Sequence, residues 1–303
     1  MNSQQNDNIE ICMCMDLDFV KPSLIAIKSI ISNSSVPSNN IRFNLVISPD
    51  TTNVITNIIS KNTSKNTSKT THNIKYRLIE FHPPKTLDRI LQKMKQHELV
   101  KKLKCFYTAT NYLNYSRYYL HYLFPDLNKI IYIDGDVIVQ GDILELYQTN
   151  FSNPNQIYFG AVDGYATTLK YFNYCHSIKI PQIQKHKTKI FNAGIYITLL
   201  NQWRQNNIDK VLEEWICNNI SDPNQLLYYC GTEPPLNLVF SESNRLKIPT
   251  KWNYIHKWEN KYNKHMKLKY QDAAMIHFKG ARKPWRNECK SKWNKLWQRY
   301  ACL

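Results

Sequence analysis

Two aspartates, Asp134 and Asp136, interrupt an apolar stretch of the chain. The segment Lys129–Gly141 has the sequence KIIYIDGDVIVQG, so residues typical of a buried strand flank the pair on both sides. Two carboxylates one residue apart are costly in a core unless a cation neutralises them. Mg²⁺ or Mn²⁺ bridging phosphate oxygens is the natural partner, and Gly135 allows close approach of the backbone. The alternative is a β-hairpin, for which Asp-Gly is a common turn signal.

Two later segments carry groups that suit sugar and phosphate ligands. Residues 190–204, IFNAGIYITLLNQWR, place Asn192 before an apolar strand, as a turn residue or as an amide that holds sugar hydroxyls. Residues 275–285, MIHFKGARKPW, place His277 ahead of a loop with three cationic side chains. A metal-competent imidazole next to such a loop suits a diphosphate. The alternative is a core histidine followed by a generic basic tail.

The elements that must position these groups alternate between strand and helix. Apolar runs predict strands at 9–15, 41–47 and 74–81, and helical periodicity predicts helices between them and at 85–104 and 111–124. This order predicts an α/β fold with a doubly wound, mainly parallel sheet, in which ligands bind at the carboxyl ends of the strands. Residues 61–71, KNTSKNTSKTT, form a tandem repeat without apolar residues, which predicts an exposed, mobile loop.

Charge and composition limit the function classes. The chain has 303 residues, 43% of them hydrophobic, which is too apolar for a disordered protein. The formal net charge is +17, and from Arg245 onward sixteen Lys and Arg stand against three Asp and Glu. A nucleic acid, an anionic surface or an anionic small molecule would each suit this charge. A plain lysine-rich surface explains the total charge but not its clustering.

The cysteines and the apolar runs indicate the setting of the protein. Eight cysteines are scattered without CxxC or zinc-like spacing, which favours free thiols in a reducing compartment. The N-terminal sequence MNSQQNDNIE lacks a signal-peptide pattern, and no apolar run approaches the roughly 20 residues of a membrane span. We therefore expect a soluble protein in a cytosol-like, reducing compartment.

The motifs, in this order and spacing, resemble glycosyltransferase family 8, which includes glycogenin, bacterial lipopolysaccharide galactosyltransferases and plant galactinol and galacturonosyl transferases. The resemblance extends from Ile9 to Trp285 and rests on TNYLNYSRYYL, IIYIDGDVIV, FNAGIYI and HFKGARKPW. It implies a nucleotide-diphospho-sugar transferase (GT-A) fold with a mainly parallel central sheet flanked by helices. It further implies a UDP-sugar donor, Mn²⁺ (or Mg²⁺) dependence, and transfer of a hexose or N-acetylhexosamine with retention to a glycan or protein.

The resemblance also implies roles for individual residues. The metal ligands are Asp134, Asp136 and His277. The residues that hold the nucleotide, the diphosphate and the donor sugar are Cys14, Met15, Asp16, Phe19, Arg117, Asp134, Gly135, Asn192, Ala193, Lys279, Gly280 and Lys283. The candidate catalytic residues are Glu233, Asp163 and Lys283. One domain, 1–303, would comprise a nucleotide-binding half at 9–140, a sugar and acceptor half at 141–286 and a basic amphipathic tail at 287–303.

One departure from the family pattern falls near the expected anomeric carbon. Many members have Asp-Gln-Asp before Leu-Asn, whereas this chain has Thr232-Glu233-Pro234-Pro235. Glu233 in the glutamine position suggests a nucleophile, a changed sugar preference or a site with weakened transfer. Glucose, galactose and N-acetylglucosamine all stay open as the transferred sugar.

Two rival functions follow from the same residues. A degenerate transferase would bind a nucleotide-sugar and only hydrolyse it, or act as a lectin-like module. A nucleic-acid-binding protein would use the basic tail and its interleaved tryptophans, although no RRM, KH or helix-turn-helix pattern is visible. Aromatic residues at 111–122 suit either a core or a homo-oligomer interface, and a core is the default.

Overall fold

A computed structural model describes residues 8–64, 74–167, 172, 188–229 and 231–302 of the chain. Its strands are β1 Ile9–Met15, β2 Ile41–Ile47, β3 Lys75–Glu80, β4 Lys129–Ile133, β5 Val137–Val139, β6 Phe159–Thr167, β7 Lys189–Leu199, β8 Leu246–Lys247, β9 Tyr254–Ile255 and β10 Met275–His277. Its α-helices are α1 Leu17–Asn33, α2 Thr52–Ser64, α3 Lys85–Gln96, α4 Glu98–Lys101, α5 Phe106–Thr110, α6 Tyr112–Tyr115, α7 Leu120–Leu123, α8 Ile143–Tyr147, α9 Leu200–Gln205, α10 Ile208–Asn219, α11 Glu233–Val239, α12 Glu259–Met266 and α13 Ser291–Ala301.

The chain divides into two compact units that interleave along the sequence. The first unit combines Met1–Glu80, Ile130–Asn150 and Pro249–Leu303, and the second combines Phe81–Lys129 and Phe151–Ile248. Within the first unit, four parallel strands follow the order β3-β2-β1-β4. The apolar run of β1 is buried between its neighbours, with Ile11 opposite Phe43 on one side and Ile131 on the other. The expected α/β class, with a mainly parallel sheet flanked by helices, is confirmed.

A smaller sheet in the first unit brings the end of the chain to the aspartate turn. Its order is β5-β10-β9, with β10 antiparallel to β5 and parallel to β9. This register sets His277 opposite Val137, the residue after Asp136. The backbone N–H of Phe278 donates to the carbonyl of Asp136 at 2.9 Å, so the pairing continues past the strand.

Helix α1 begins directly after β1 and supports the same turn. Asp16 caps its first turn by accepting from the backbone N–H of Phe19 at 3.3 Å. Its apolar face is buried, and within that face Ser29 Oγ accepts from the backbone N–H of Val139 in β5 at 2.9 Å. The helix is thereby tied to the strand that follows Asp136.

The second unit has its own sheet, in the order β7-β6-β8, with β6 antiparallel to β7 and parallel to β8. The register of β6 shifts between Ala161 and Asp163, which marks a bulge. Stacked rings of Phe159 and Phe240, 4.1 Å apart, form part of the aromatic core of this unit.

The strands follow the sequence prediction closely, and two of the helices do not. The predicted bounds of β1 and β2 are confirmed, and β3 runs from 75 to 80 rather than from 74 to 81. The single helices predicted at 111–124 and 85–104 are wrong. The first is divided into α6, a 3₁₀ turn at Ser116–Tyr118 and α7, and the second into α3 and α4 at His97.

Side-chain bonds at the 3₁₀ turn compete with a continuous helix over 111–124. Ser116 Oγ donates to the carbonyl of Leu113 at 2.7 Å, an oxygen that the backbone N–H of residue 117 would accept as its partner in a continuous helix. The tyrosines of the segment are bonded as well: the Tyr115 hydroxyl donates to the carbonyl of Ala109, that of Tyr118 to the carbonyl of Thr232, and that of Tyr119 to Glu213 Oε1. These tyrosines are buried in the second unit, which agrees with the default prediction that the aromatic residues of this segment lie in a core.

Four further expectations concern the tetrapeptide repeat, the domain division, membrane-spanning helices and the cysteines. Residues 61–64 of the tetrapeptide repeat are the last turn of α2, and 65–71 lie outside the described residues. The division of one domain at residue 140 stays a prediction. In the part of the chain described here, no helix has the length and apolarity needed to cross a membrane. The six cysteines among those residues are free thiols.

Candidate active site

The aspartate turn lies between β4 and β5 in the first unit. Asp134 is half-buried and accepts from the Tyr132 hydroxyl at 3.1 Å, whereas Asp136 is buried with 6% of its surface exposed. The two strands around the turn belong to different sheets, so the turn is not a β-hairpin. The hairpin alternative is therefore wrong.

His277 completes a cluster of three metal-ligating side chains. One ligand atom from each of Asp134, Asp136 and His277 lies within 4.8 Å of the others. Asn253 Oδ1 accepts from the His277 Nδ1–H at 3.1 Å, which leaves Nε2 facing Asp136 Oδ1 at 3.3 Å. Nε2 is therefore the ring atom available to a cation, as in metal sites where a second-layer acceptor fixes the tautomer.

Lys283 lies against the same carboxylate. Its Nζ donates to Asp136 Oδ2 at 2.5 Å and to the carbonyl of Phe278 at 3.0 Å. Two ring faces complete its surroundings, with Nζ 5.7 Å from the centroid of Phe19 and 5.3 Å from that of Trp285. Burial raises the pKa of Asp136, but its contacts with His277 and Lys283 outweigh burial and hold that pKa well below its usual range.

Glycine is required at one position by packing and at another by backbone conformation. A Cβ on Gly135 would collide with Ser23 Oγ of α1, so the missing side chain makes room for that helix. Gly280 has φ +102°, a conformation that L side chains rarely adopt. Lys279 is half-buried beside it.

The residues expected to hold the base lie at the end of β1. Cys14 is half-buried, Met15 is buried, and Asp16 caps α1 as described. Burial raises the pKa of Asp16, and the hydrogen bond from Phe19 opposes that rise only in part. The Phe19 ring meets the edge of Trp285 at 6.0 Å, so a residue from the start of α1 contacts the loop that carries Lys283.

Four other predicted residues meet within the second unit. Arg117 Nη1 donates to the carbonyl of Ala193 at 3.1 Å, and Asn192 Nδ2 donates to Glu233 Oε2 at 3.0 Å. The Asn192 side chain also accepts from the backbone N–H of Gly194 at 3.3 Å. Arg117 thus holds the backbone of the Phe-Asn-Ala-Gly motif, and Asn192 orients the Glu233 carboxylate.

Asp163 has partners that the sequence did not indicate. Arg245 Nη2 lies 2.5 Å from Asp163 Oδ1, and Lys247 Nζ lies 3.5 Å from Oδ2. Neither Arg245 nor Asn253 belongs to a recognisable motif. A buried polar residue beside a strand, as Asn253 is before β9, is the only signal that would have pointed to it.

The model of glycosyl transferase family 8 matches residues 10–289. The chain belongs to this family. Among related family 8 proteins, glycosyltransferase 8 domain-containing protein 1 of Danio rerio is 28% identical over 245 residues, covering 75% of this chain and 63% of that protein. The human counterpart is 28% identical over 229 residues, with 70% and 58% covered. This chain therefore spans less than two thirds of either relative.

Solved structures share the fold of this family 8 member. The galactosyltransferase LgtC, in complex with donor and acceptor sugar analogs, has a TM-score of 0.68 at 18% identity, with 97% of this chain and 95% of that chain covered. Mouse xyloside xylosyltransferase 1 has a TM-score of 0.55 at 13% identity, with 89% and 97% covered. These likenesses confirm the GT-A fold that the sequence motifs implied.

Proposed function

We propose that this glycosyltransferase transfers a hexose or N-acetylhexosamine from a UDP-sugar, with retention, to a glycan or protein acceptor, and that it uses Mn²⁺ or Mg²⁺. The observation that carries the proposal is the cluster of Asp134, Asp136 and His277 with Lys283 on its border. It combines hard oxygen ligands and one imidazole with a cation that can reach phosphate oxygens.

The residues present fit a divalent cation. Asp134 and Asp136 supply two negative charges, and the Nδ1 bond of His277 to Asn253 directs Nε2 toward Asp136. Such a cation, when bound, supplies Lewis-acid neutralisation of the diphosphate. The chain's own part is to fix the two carboxylates at the ends of β4 and β5 and the imidazole on β10.

The leaving group would be a nucleoside diphosphate, whose negative charge grows as the glycosidic bond stretches. Lys283, with help from Lys279 or Arg117, would donate to the phosphate oxygens as that charge develops. Glu233 and Asp163 are proposed to act around the sugar, Glu233 held by Asn192 and Asp163 held by Arg245. Retention would follow from same-face attack or from a double displacement through Glu233.

The burial of the C-terminal tryptophans argues against the nucleic-acid alternative. Three of the four tryptophans that would stack on bases, Trp252, Trp293 and Trp297, are at most 2% exposed. Base stacking needs an open ring face, which these side chains do not offer. Weak, salt-sensitive binding of arbitrary DNA or RNA is therefore all that we expect.

Replacing Asp134 with Asn tests the proposal directly. We expect Asp134→Asn to lower metal-dependent turnover by about 10²–10³-fold, the cost of losing one electrostatic group at developing charge. Asp134 is chosen because Lys283 donates to Asp136, so replacing Asp134 leaves that buried ion pair intact and the protein should stay folded. UDP release from UDP-glucose, UDP-galactose and UDP-N-acetylglucosamine is measured with and without Mn²⁺, beside the melting temperature.

The control is Asp272→Asn, which removes an exposed carboxylate of the same unit and should leave turnover unchanged. Unchanged turnover in Asp134→Asn would overturn the metal role. Metal-dependent UDP release that no candidate glycan or protein acceptor accelerates would favour the hydrolytic, degenerate transferase instead.

A further inference from the structure

Lys283 occupies a position that a metal centre ordinarily leaves to its cation. Its ammonium is bonded to Asp136 Oδ2, one of the two carboxylates of the cluster, and the residue is only 9% exposed. The other oxygen, Oδ1, faces His277 Nε2 at 3.3 Å. A cation bound between these two atoms would therefore share one buried carboxylate with the lysine.

The charges at the site determine how strongly the Lys283 ammonium opposes a bound cation. The cluster holds two carboxylates, and the bonded ammonium cancels one of them before any metal arrives. Two positive charges a few ångströms apart repel strongly in a buried site, where solvent screens them little. With Lys283 in place, the metal-free protein is thus a poor host for a divalent cation.

We propose that Lys283 is the resident counter-ion of this site and makes metal binding conditional on the nucleoside diphosphate. The diphosphate would draw the ammonium from Asp136 to its own oxygens and so release the carboxylate to the cation. This inference rests on the proposed function, because it takes the cluster as the metal site and a nucleoside diphosphate as the ligand. Metal and nucleotide then bind with positive cooperativity, and each raises the affinity of the other by the same factor.

The surroundings of Lys283 restrict the exchange to its side chain. Its backbone N–H donates to Glu288 Oε2 at 3.1 Å, and its carbonyl accepts from the N–H groups of Arg286 and Glu288, each at 3.2 Å. The backbone is therefore held, so an exchange of partner requires rotation of the four-carbon stem alone. The rings of Phe19 and Trp285 offer the ammonium a second favourable surface along its course.

Lys283→Met tests the exchange, because methionine keeps most of the stem and removes the charge. Mn²⁺ affinity is measured from the electron paramagnetic resonance signal of free Mn²⁺, with and without UDP. We expect Lys283→Met without UDP to bind Mn²⁺ about 5–150-fold more tightly than the unmodified protein, the usual range of coupling between two sites. UDP should raise the affinity for Mn²⁺ by a large factor in the unmodified protein and by a small factor in the variant.

Two further variants separate charge from side-chain loss. Lys283→Arg keeps the positive charge and should keep both the weak Mn²⁺ binding and its dependence on UDP. Lys290→Met removes an exposed lysine seven residues further on and should behave like the unmodified protein. Should Lys283→Met fail to fold, Lys283→Gln makes the same test, because UDP tightens Mn²⁺ binding through its own phosphate oxygens and the unmodified protein alone cannot decide.

The outcomes distinguish this inference from the proposed function. If the unmodified protein binds Mn²⁺ equally well with and without UDP, or if Lys283→Met gains no affinity, the counter-ion role is wrong while the metal site stands. If the protein binds no Mn²⁺ even with UDP present, the proposed function itself fails.

Discussion

Glu233 is the residue whose role most affects the mechanism. It is the first residue of α11, and one of its carboxylate oxygens accepts from Asn192 Nδ2 at 3.0 Å. As a nucleophile, it would bond to the anomeric carbon while the bond to the UDP oxygen breaks, and the acceptor hydroxyl would then displace it. As a positioning group, it would only hold the sugar.

Glu233→Gln separates the two roles. Gln keeps an oxygen that Asn192 can donate to, but it is a poor nucleophile. If Glu233 attacks, transfer should fall by at least about 10³-fold, and intact-protein mass spectra of the unmodified enzyme with donor alone should show one added glycosyl unit. Near-normal transfer by Glu233→Gln would end the nucleophile hypothesis and leave same-face attack.

At the residue scale, the sequence and its family resemblance predicted the members of the candidate metal cluster but not what holds them. Asp134, Asp136 and His277 stand next to apolar strands, and the structure brings them together. Asn253 and Arg245 escaped notice because their partners, His277 and Asp163, are 24 and 82 residues away in the chain. Periodicity carries no information on contacts at such separations.

At the scale of elements, α1 fixes the aspartate turn by direct contact with Gly135. Ser23 Oγ is buried, and among the described residues it has no hydrogen-bond partner, so it offers no interaction that would compensate for a shift. Phe19 of the same helix lies 3.2 Å from the position a Cβ on Gly135 would take. The turn therefore depends on the helix as much as on its own residues.

Gly135→Ala should lower the free energy of unfolding by about 1–3 kcal/mol, the usual cost of overpacking, and weaken Mn²⁺ binding. Since the nearest atom is Ser23 Oγ, the double variant Gly135→Ala with Ser23→Gly should recover part of both losses. Urea denaturation and Mn²⁺ titration of the four proteins complete a double-mutant cycle. Strictly additive effects would show that α1 does not restrict the turn.

Strands and helices were predictable where apolar residues repeat along one face. They were unpredictable where side chains compete with the backbone for hydrogen bonds. β1 and β2 are single apolar runs, and their bounds followed from the sequence. Residues 111–124 have helical periodicity too, but Ser116 takes a backbone carbonyl that a continuous helix would use, and that local competition divides the helix. The amphipathic tail helix, α13, was predictable because its buried residues recur at helical spacing.

At the scale of the whole molecule, the two units draw on segments far apart in the sequence. The first unit takes its last segment from Pro249 onward, which carries His277 and Lys283 back to the turn between β4 and β5. Nothing in local pattern indicates such a return; only the family resemblance implied it. Stability in acid can be followed through a buried histidine–aspartate pair of the second unit.

That pair joins His121 and Asp209 in the second unit. His121 Nε2 lies 3.2 Å from Asp209 Oδ1, and both side chains are at most 1% exposed. Lys210 Nζ lies 3.5 Å from the other carboxylate oxygen. Burial raises the pKa of Asp209, but the close approach of His121 and Lys210 outweighs it, so the net pKa is below its usual value.

A carboxyl group whose pKa is lower in the folded protein than in the unfolded chain stabilises the fold above the unfolded value, near pH 4. That stability is lost as the pH falls through the folded value. Asp209→Asn should therefore cost about 3–5 kcal/mol at pH 7, because His121 stays buried without its anion, and should flatten the loss of stability in acid. Urea unfolding between pH 7 and pH 3 measures both effects. The control is Glu214→Gln, which changes an exposed carboxylate on the same helix and should behave like the unmodified protein. If Asp209→Asn loses stability in acid in parallel with the unmodified protein, Asp209 is not the source of that loss.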